Sequence, residues 1–426
     1  MLNLNEKKKR VFGDIAVNKN LARRHEFSRL PRFISEYLLS KYVKDENDVE
    51  GLRRIESIIQ EHYPDPRDKD RFLAILKTKG ILKILDEIKV YVDLRRGVFK
   101  AMIPSLQLYG VFVREGLVYD YPRLLSGIWG IGTLRYMPEL SDMYPSVLPV
   151  VLEEFEPFQV YTIDEDIFIE GRCEFTTEEW INVLIQTIGL NPQRYNEEQK
   201  LIMLARLVPL IESNVNILEL GPRATGKTHL YRNISTYVRI YAGGTVSPAQ
   251  LFYNIRLGIV GDVGVHDVVV FDEIARLKFS NAEETIAKLK DYMAEGFYER
   301  GRLKRAHSTC SLVFLGNLDI DEYGVLGNLS DYLPEFMKSD TAVLDRIHGI
   351  IPGWKLPKIM KSSEHLTNGY GLSADYFSEI LHNSRDKESF RGLVYEIFEL
   401  DSSFTIRDER AFEKIASGLL KLLFPN

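Results

Sequence analysis

The chain has 426 residues, of which 45% are apolar and 27% charged, and a formal net charge of −6. No stretch of 18 apolar residues occurs and the first thirty residues are polar and basic, so neither a membrane span nor a secretory signal is expected. Its two cysteines, Cys173 and Cys310, leave nothing for a disulfide scaffold or a multi-cysteine zinc ribbon, and a reducing cytoplasm fits them best.

The acidic balance carries no whole-chain nucleic-acid signature, so any such partner must be argued from local patches. One patch lies in residues 1–42, which hold Lys7, Lys8, Lys9, Arg10, Lys19, Arg23, Arg24, Arg29, Arg32 and Lys41; it is read as a solvated helical face. Residues 1–89 are expected to form a helical, basic region. Their stripes are Leu38, Leu39 and Tyr42, then Leu52, Ile55, Ile58 and Ile59, and finally Phe72, Leu73, Leu76, Ile81, Leu82 and Leu85. From 90 to 170 the texture changes to short β-rich runs (90–92, 110–113, 130–136 and 160–163) broken by Gly and Pro. This suggests a small barrel of OB-like type, able to grip DNA. Residues 171–195 read as a linker with a capped helix near Thr177 and Trp180.

The strongest signal falls in 196–355. Gly221, Pro222, Arg223, Ala224, Thr225, Gly226, Lys227 and Thr228 fill the pattern G-x-x-x-x-G-K-[ST] after the strand-like run 215–220, with a helix expected from His229 onward. Backbone N–H groups of such a loop turn toward a phosphate, Lys227 brings charge to the outer phosphates, and the Thr228 hydroxyl can ligate Mg²⁺. ATP with Mg²⁺ is therefore the expected ligand. A second apolar run, 267–271, ends in Asp272 and Glu273, which suits a carboxylate for the metal's water shell followed by a general base for the attacking water. The third run, 311–316, ends in Asn317, at the carboxyl edge where ligands of parallel sheets bind.

Arg346, after Asp345, is the candidate for an arginine that reaches a neighbouring subunit's site; such fingers are worth roughly 10³ to 10⁵ in rate in GTPases. Between the second and third runs, Arg300, Arg302, Lys304 and Arg305 form a basic turn, a candidate DNA contact in a ring's pore or a merely charged turn. Residues 356–426 are expected to be a helical lid. Ala411, Phe412, Ile415, Ala416, Leu419, Leu420 and Leu423 mark its last helix, and Arg407 at the start of that helix is a candidate phosphate sensor.

Taken in order, these motifs resemble an AAA+ ATPase. The stretch 344–354, together with 171–180 and 417–423, is similar to the BrxL family, the Lon-like ATPases of BREX phage-defence systems. The resemblance implies an α/β P-loop core with a helical lid, assembly into a hexamer or double hexamer, DNA as partner, other BREX proteins as further partners, and a role in restricting phage. Usual members continue into a Lon-type protease domain with a Ser/Lys dyad. The chain stops at Asn426, so no protease activity is expected of it. The reading that follows is a ring-forming ATPase that translocates on or remodels DNA. The alternatives are a protein unfoldase, for which Phe252 and Tyr253 are the aromatic pore-loop candidates, and a nucleotide-gated scaffold on DNA.

Overall fold

The structure is a computed structural model that describes residues 3–45, 47–94, 96–143, 148–158, 163–256, 258–301, 303–321 and 324–425. The chain divides into two compact units, Leu21–Thr162 and Met1–Asn20 with Ile163–Asn426. Among the described residues no helix is long and apolar enough to cross a membrane.

The first unit starts with the helices Arg32–Tyr42, Val49–His62 and Lys69–Lys79. Gly80, left-handed at φ 74°, closes the third. Five strands follow: Ile81–Asp93 (β1), Val98–Ile103 (β2), Leu108–Val113 (β3), Ile128–Tyr136 (β4) and Val150–Pro157 (β5). They close into a barrel in the order β1-β2-β3-β5-β4, with β3 and β5 parallel and the other pairs antiparallel. Its interior is filled by fully buried residues such as Ile84, Ile88, Ala101, Val111, Leu134 and Leu152.

Two expectations change here. Ile81, Leu82 and Leu85 continue no helix; past the Gly80 cap they belong to β1, where burial alternates over Ile81–Ile84 at the period of a strand. Strands β2 and β5 went unread, because their apolar residues are interrupted by Lys100 and by Glu153, Glu154 and Glu156. The expected run at 160–163 falls mostly outside the described residues.

The second unit is built on a parallel sheet of Asn216–Gly221 (β6), Val238–Ala242 (β7), Val268–Asp272 (β8), Ser311–Asn317 (β9) and Gly349–Pro352 (β10), in the order β10-β6-β9-β8-β7. The fold is mixed α/β. Both faces of the sheet are covered, which is why its central strands read as nearly continuous apolar runs. Ile217, Val268, Val270, Val313 and Leu315 face one core, while Leu218, Leu220, Val269, Phe271, Leu312 and Phe314 face the other.

The first of these cores joins the amino-terminal helix to segments between Phe168 and Leu422. The helix Leu4–Phe12 contributes Phe12, the helix Thr177–Thr187 contributes Trp180, Val183, Leu184 and Ile185, and the carboxyl-terminal region contributes Tyr376, Phe377, Ile380 and Leu422. Residues 171–195 are thus core and not linker. Nor do residues 356–426 form a separate helical lid. They include a strand, Tyr370–Leu372, paired antiparallel with Ala16–Asn18, and a helix, Ala374–Ser384, buried along most of its length. The physical reason is that each of these amphipathic segments has an apolar face that finds cover only against the others.

Two members of the amino-terminal basic patch are drawn inward, while Lys9, Arg10, Arg24, Arg29 and Lys41 are exposed. Lys8 and Lys19 are buried, donating to the carbonyls of Tyr370 and Leu372, while Lys7 pairs with Glu179 at 2.7 Å. Burial pushes the Lys8 ammonium down to about 7.

Trp180 ties these segments together: it contacts Phe12, Phe168 and Phe175, and its indole N–H donates to the Leu422 carbonyl at 2.9 Å. Trp180→Ala is expected to destabilise this unit by roughly 3 to 5 kcal/mol in denaturant unfolding. A loss well under about 1 kcal/mol would contradict its role as the junction.

Candidate active site

Strand β6 ends at Gly221, and the loop that follows leads into the helix Lys227–Ile234. A Cβ on Gly221 would lie 2.7 Å from the carbonyl carbon of Gly353, so the chain leaving β10 can pass here only because position 221 has no side chain. Gly226 caps the helix at φ 81°, and Ala224, at φ 66°, is held in the same left-handed region despite its side chain. Pro222 and Thr225 are buried, and Arg223 and His229 are exposed.

The Lys227 ammonium is buried and donates to the loop's own carbonyls, Gly221 O at 2.6 Å and Pro222 O at 2.9 Å. Its burial lowers the ammonium's pKa to about 8. A cation held dry by two neutral carbonyls is a fit for an anion such as a polyphosphate. The Thr228 hydroxyl donates to Asp272 Oδ2 at 2.7 Å, joining helix to strand β8. A hydroxyl and one carboxylate side by side suit Mg²⁺, which takes few protein ligands and the rest from water and phosphates.

Glu273 follows Asp272 in a left-handed conformation at φ 52°, and its N–H donates to Asp272 Oδ1 at 2.9 Å. Its exposed carboxylate lies 3.6 Å from Arg276. Asn317, at the end of β9, is the ladder partner of Gly221, beside the loop. Strands β6, β8 and β9 therefore bring Lys227, Thr228, Asp272, Glu273 and Asn317 to one edge of the sheet.

Arg346 is elsewhere. Its carbonyl accepts from Asn216 Nδ2 at 3.0 Å, at the opposite end of β6 from Gly221. Five steps of a strand, at roughly 3.3 Å each, separate those ends by about 16 Å. Its guanidinium donates to Ala342 O at 2.6 Å, and its buried Nε has no hydrogen-bond partner among the described residues. Arg407 is also absent from the loop: it pairs with Asp345 at 2.6 Å, next to Arg346, so a sensing role on its own chain's loop is not what this geometry gives.

The basic turn sits on a hairpin, Phe297–Arg300 with Leu303–His307. Arg300 is withdrawn from any ligand, bonded to Glu284 at 3.1 Å and to Tyr253 O at 2.6 Å. Lys304 and Arg305 are exposed, Arg305 lying over the Phe297 ring. Arg302 lies outside the described residues. Phe252 is fully buried in the core and unavailable as a pore aromatic, whereas Tyr253 is half-buried on a short hairpin.

Two features went unread in the sequence. Beneath the loop, Arg206 and Glu219 form a buried pair at 2.5 and 3.0 Å, and Arg206 also donates to Thr225 O at 3.0 Å. The signal was an acid, Glu219, inside an apolar strand, which demands a cationic partner. Above the loop, the Ile359 N–H donates to Ala224 O at 2.7 Å.

Against this geometry the comparisons with known proteins can be placed. Residues 150–426 match the family model for the ATPase domain of Lon-like protease BrxL-like proteins. The chain belongs to the BrxL-like family. Residues 10–136 match the model for the BREX system Lon protease-like protein BrxL N-terminal region. The chain is 35% identical over 433 residues to "Lon-like protease BrxL" of Bacillus cereus (strain H3081.97), covering 100% of this chain and 63% of that protein. It is 33% identical to the protein of the same name from Escherichia coli O9:H4 (strain HS), covering 97% and 60%. An uncharacterized protein 440 of Sulfolobus islandicus rod-shaped virus 1 is 26% identical over 67% of this chain and 74% of its own length. The chain thus spans about three fifths of the length of the two BrxL relatives. A Lon-like ATPase domain implies a P-loop AAA+ fold and the use of nucleotide.

Binding of a polyphosphate should raise the Lys227 pKa from about 8, so nucleotide binding is expected to take up a proton at pH 8 to 9 and to weaken as pH rises through 8. Calorimetry in buffers of different ionisation enthalpy reads this directly. Proton uptake that persists in Lys227→Met would assign it to another group.

Proposed function

We propose that this chain is the ATPase of a ring-forming motor that binds DNA and couples ATP hydrolysis to its translocation or remodelling in BREX-type phage defence. One observation carries the ring: Arg346 lies at the far end of β6 from Lys227, so the nucleotide it serves belongs to another copy. A head-to-tail ring, a hexamer or double hexamer, provides such a contact at every interface.

In this reading Lys227 and the loop N–H groups hold the phosphates, and Thr228 with Asp272 would hold Mg²⁺, which would supply charge to neutralise the phosphates. Glu273 takes the proton of the attacking water. Asn317 orients that water beside the loop, and Arg346 of the adjacent copy stabilises charge on the transferred phosphoryl group.

The five-stranded barrel supports a DNA partner. Its order, with β3 and β5 parallel, is OB-like, and such barrels bind oligonucleotides on the β2–β3 side. Tyr109 of β3 and Tyr91 of β1, the strands on either side of β2, are 61% and 39% exposed, giving flat rings for base stacking. Lys304 and Arg305 on the exposed hairpin suit backbone phosphates. The rival, a protein unfoldase, loses one of its two candidate pore aromatics with Phe252 buried in the core. The second rival, a nucleotide-gated scaffold, is separated by ATPase rate on long against short duplexes, which rises with length only for a translocating motor.

Glu273→Gln is expected to keep nucleotide affinity and lose roughly 10² to 10⁴ in turnover. Turnover within about threefold of the parent would remove Glu273 from the role of base.

A further inference from the structure

Between the start of the helix Leu4–Phe12 and the helix Thr177–Thr187 lies a cleft of about 340 Å³. Glu178, Asn182 and Gln186 recur every four residues, so a single stripe of the second helix lines it. With the amides of the neighbouring segments the lining holds six carboxamide side chains, each offering N–H and C=O groups side by side. Its two charged members, Glu178 and Lys200, are of opposite sign. Such a lining suits a neutral ligand rich in both donors and acceptors. None of these residues belongs to the loop 221–228 or to strands β8 and β9, so the cleft is a place apart from the nucleotide site.

Three of the amides are tied to the wall itself. Asn5 Oδ1 accepts from the Tyr370 N–H at 3.2 Å, Gln186 Oε1 accepts from the Lys8 ammonium at 2.6 Å, and Asn191 Nδ2 donates to the Glu364 carbonyl at 2.9 Å. These bonds hold the cleft in shape before a ligand arrives. Asn182 differs, because its Oδ1 is buried and has no hydrogen-bond partner among the described residues. A buried acceptor left unmade carries a desolvation cost that a donor on a ligand would relieve. Leu4 and Pro192 supply the apolar part of the lining.

We propose that this cleft binds a free purine nucleoside, with Asn182 reading the amino edge of its base. Oδ1 accepts from the exocyclic amine and Nδ2 donates to the adjacent ring nitrogen, the two-point match that a carboxamide makes with adenine. Leu4 and Pro192 cover the ring, and Glu178 accepts from the ribose hydroxyls. A nucleoside suits the lining better than its phosphorylated forms, because Glu178 offsets the charge that Lys200 would offer a phosphate. The volume lies at the low end of small-molecule sites, the range one nucleoside needs.

The test is equilibrium dialysis of the full chain against adenosine and against purine riboside, which lacks the amine, with MgADP in excess to fill the phosphate loop. Adenosine should bind once per protomer with a Kd on the order of 0.1 mM, what a ligand of its size reaches at ordinary efficiency. Purine riboside should bind roughly tenfold more weakly, for want of the donor to Asn182. Asn182→Leu should bring adenosine down to the level of purine riboside while leaving purine riboside unchanged, with its unfolding midpoint as the check on folding. No adenosine binding below about 5 mM overturns the inference. So does equal affinity of the parent chain for the two nucleosides, a comparison that needs no variant. Adenosine that binds only when MgADP is withheld belongs to the phosphate loop and overturns it as well.

Discussion

A parallel strand has two chemically different ends, and in this protein the two ends of β6 position different groups. At its carboxyl end the chain turns sharply at Gly221, and the loop meets Asp272 and Asn317 because β8 and β9 run in the same direction. At its amino end Asn216 anchors the segment that carries Arg346. No bending within one protomer brings the two ends together, because the strand between them is buried on both faces. The separation is therefore structural, and the proposal that Arg346 serves a second copy rests on it.

What holds the loop in readiness is also buried. The Arg206–Glu219 pair lies inside the sheet's own packing, fastened upward to Thr225, so strand, loop and preceding helix behave as one piece. Buried pairs of this kind are often no more stabilising than apolar replacements, but removing one partner leaves an uncompensated charge. Its value here is positional: it fixes the loop through the Thr225 carbonyl.

Much of this site was legible in the sequence because its chemistry is local. The residues 221–228 and the acids 272 and 273 announce themselves by spacing, and the sheet places them together through short parallel connections. What stayed hidden depends on distant partners. The burial of Lys8 and Trp180 follows from segments more than 180 residues away, and the withdrawal of Arg300 from solvent depends on Glu284 and the Tyr253 carbonyl. The strand that starts at Ile81 was read as helix because apolar residues at 81, 82 and 85 satisfy both periods until the Gly80 cap is seen.

The central claim is that a complete hydrolytic site exists only where two protomers meet. The most direct measurement is ATP turnover per protomer across a dilution series spanning the assembly midpoint, with oligomer mass followed in the same samples. The account predicts that specific activity falls with the assembled fraction toward a nearly inert monomer. Specific activity that stays constant while the assembly dissociates would contradict it.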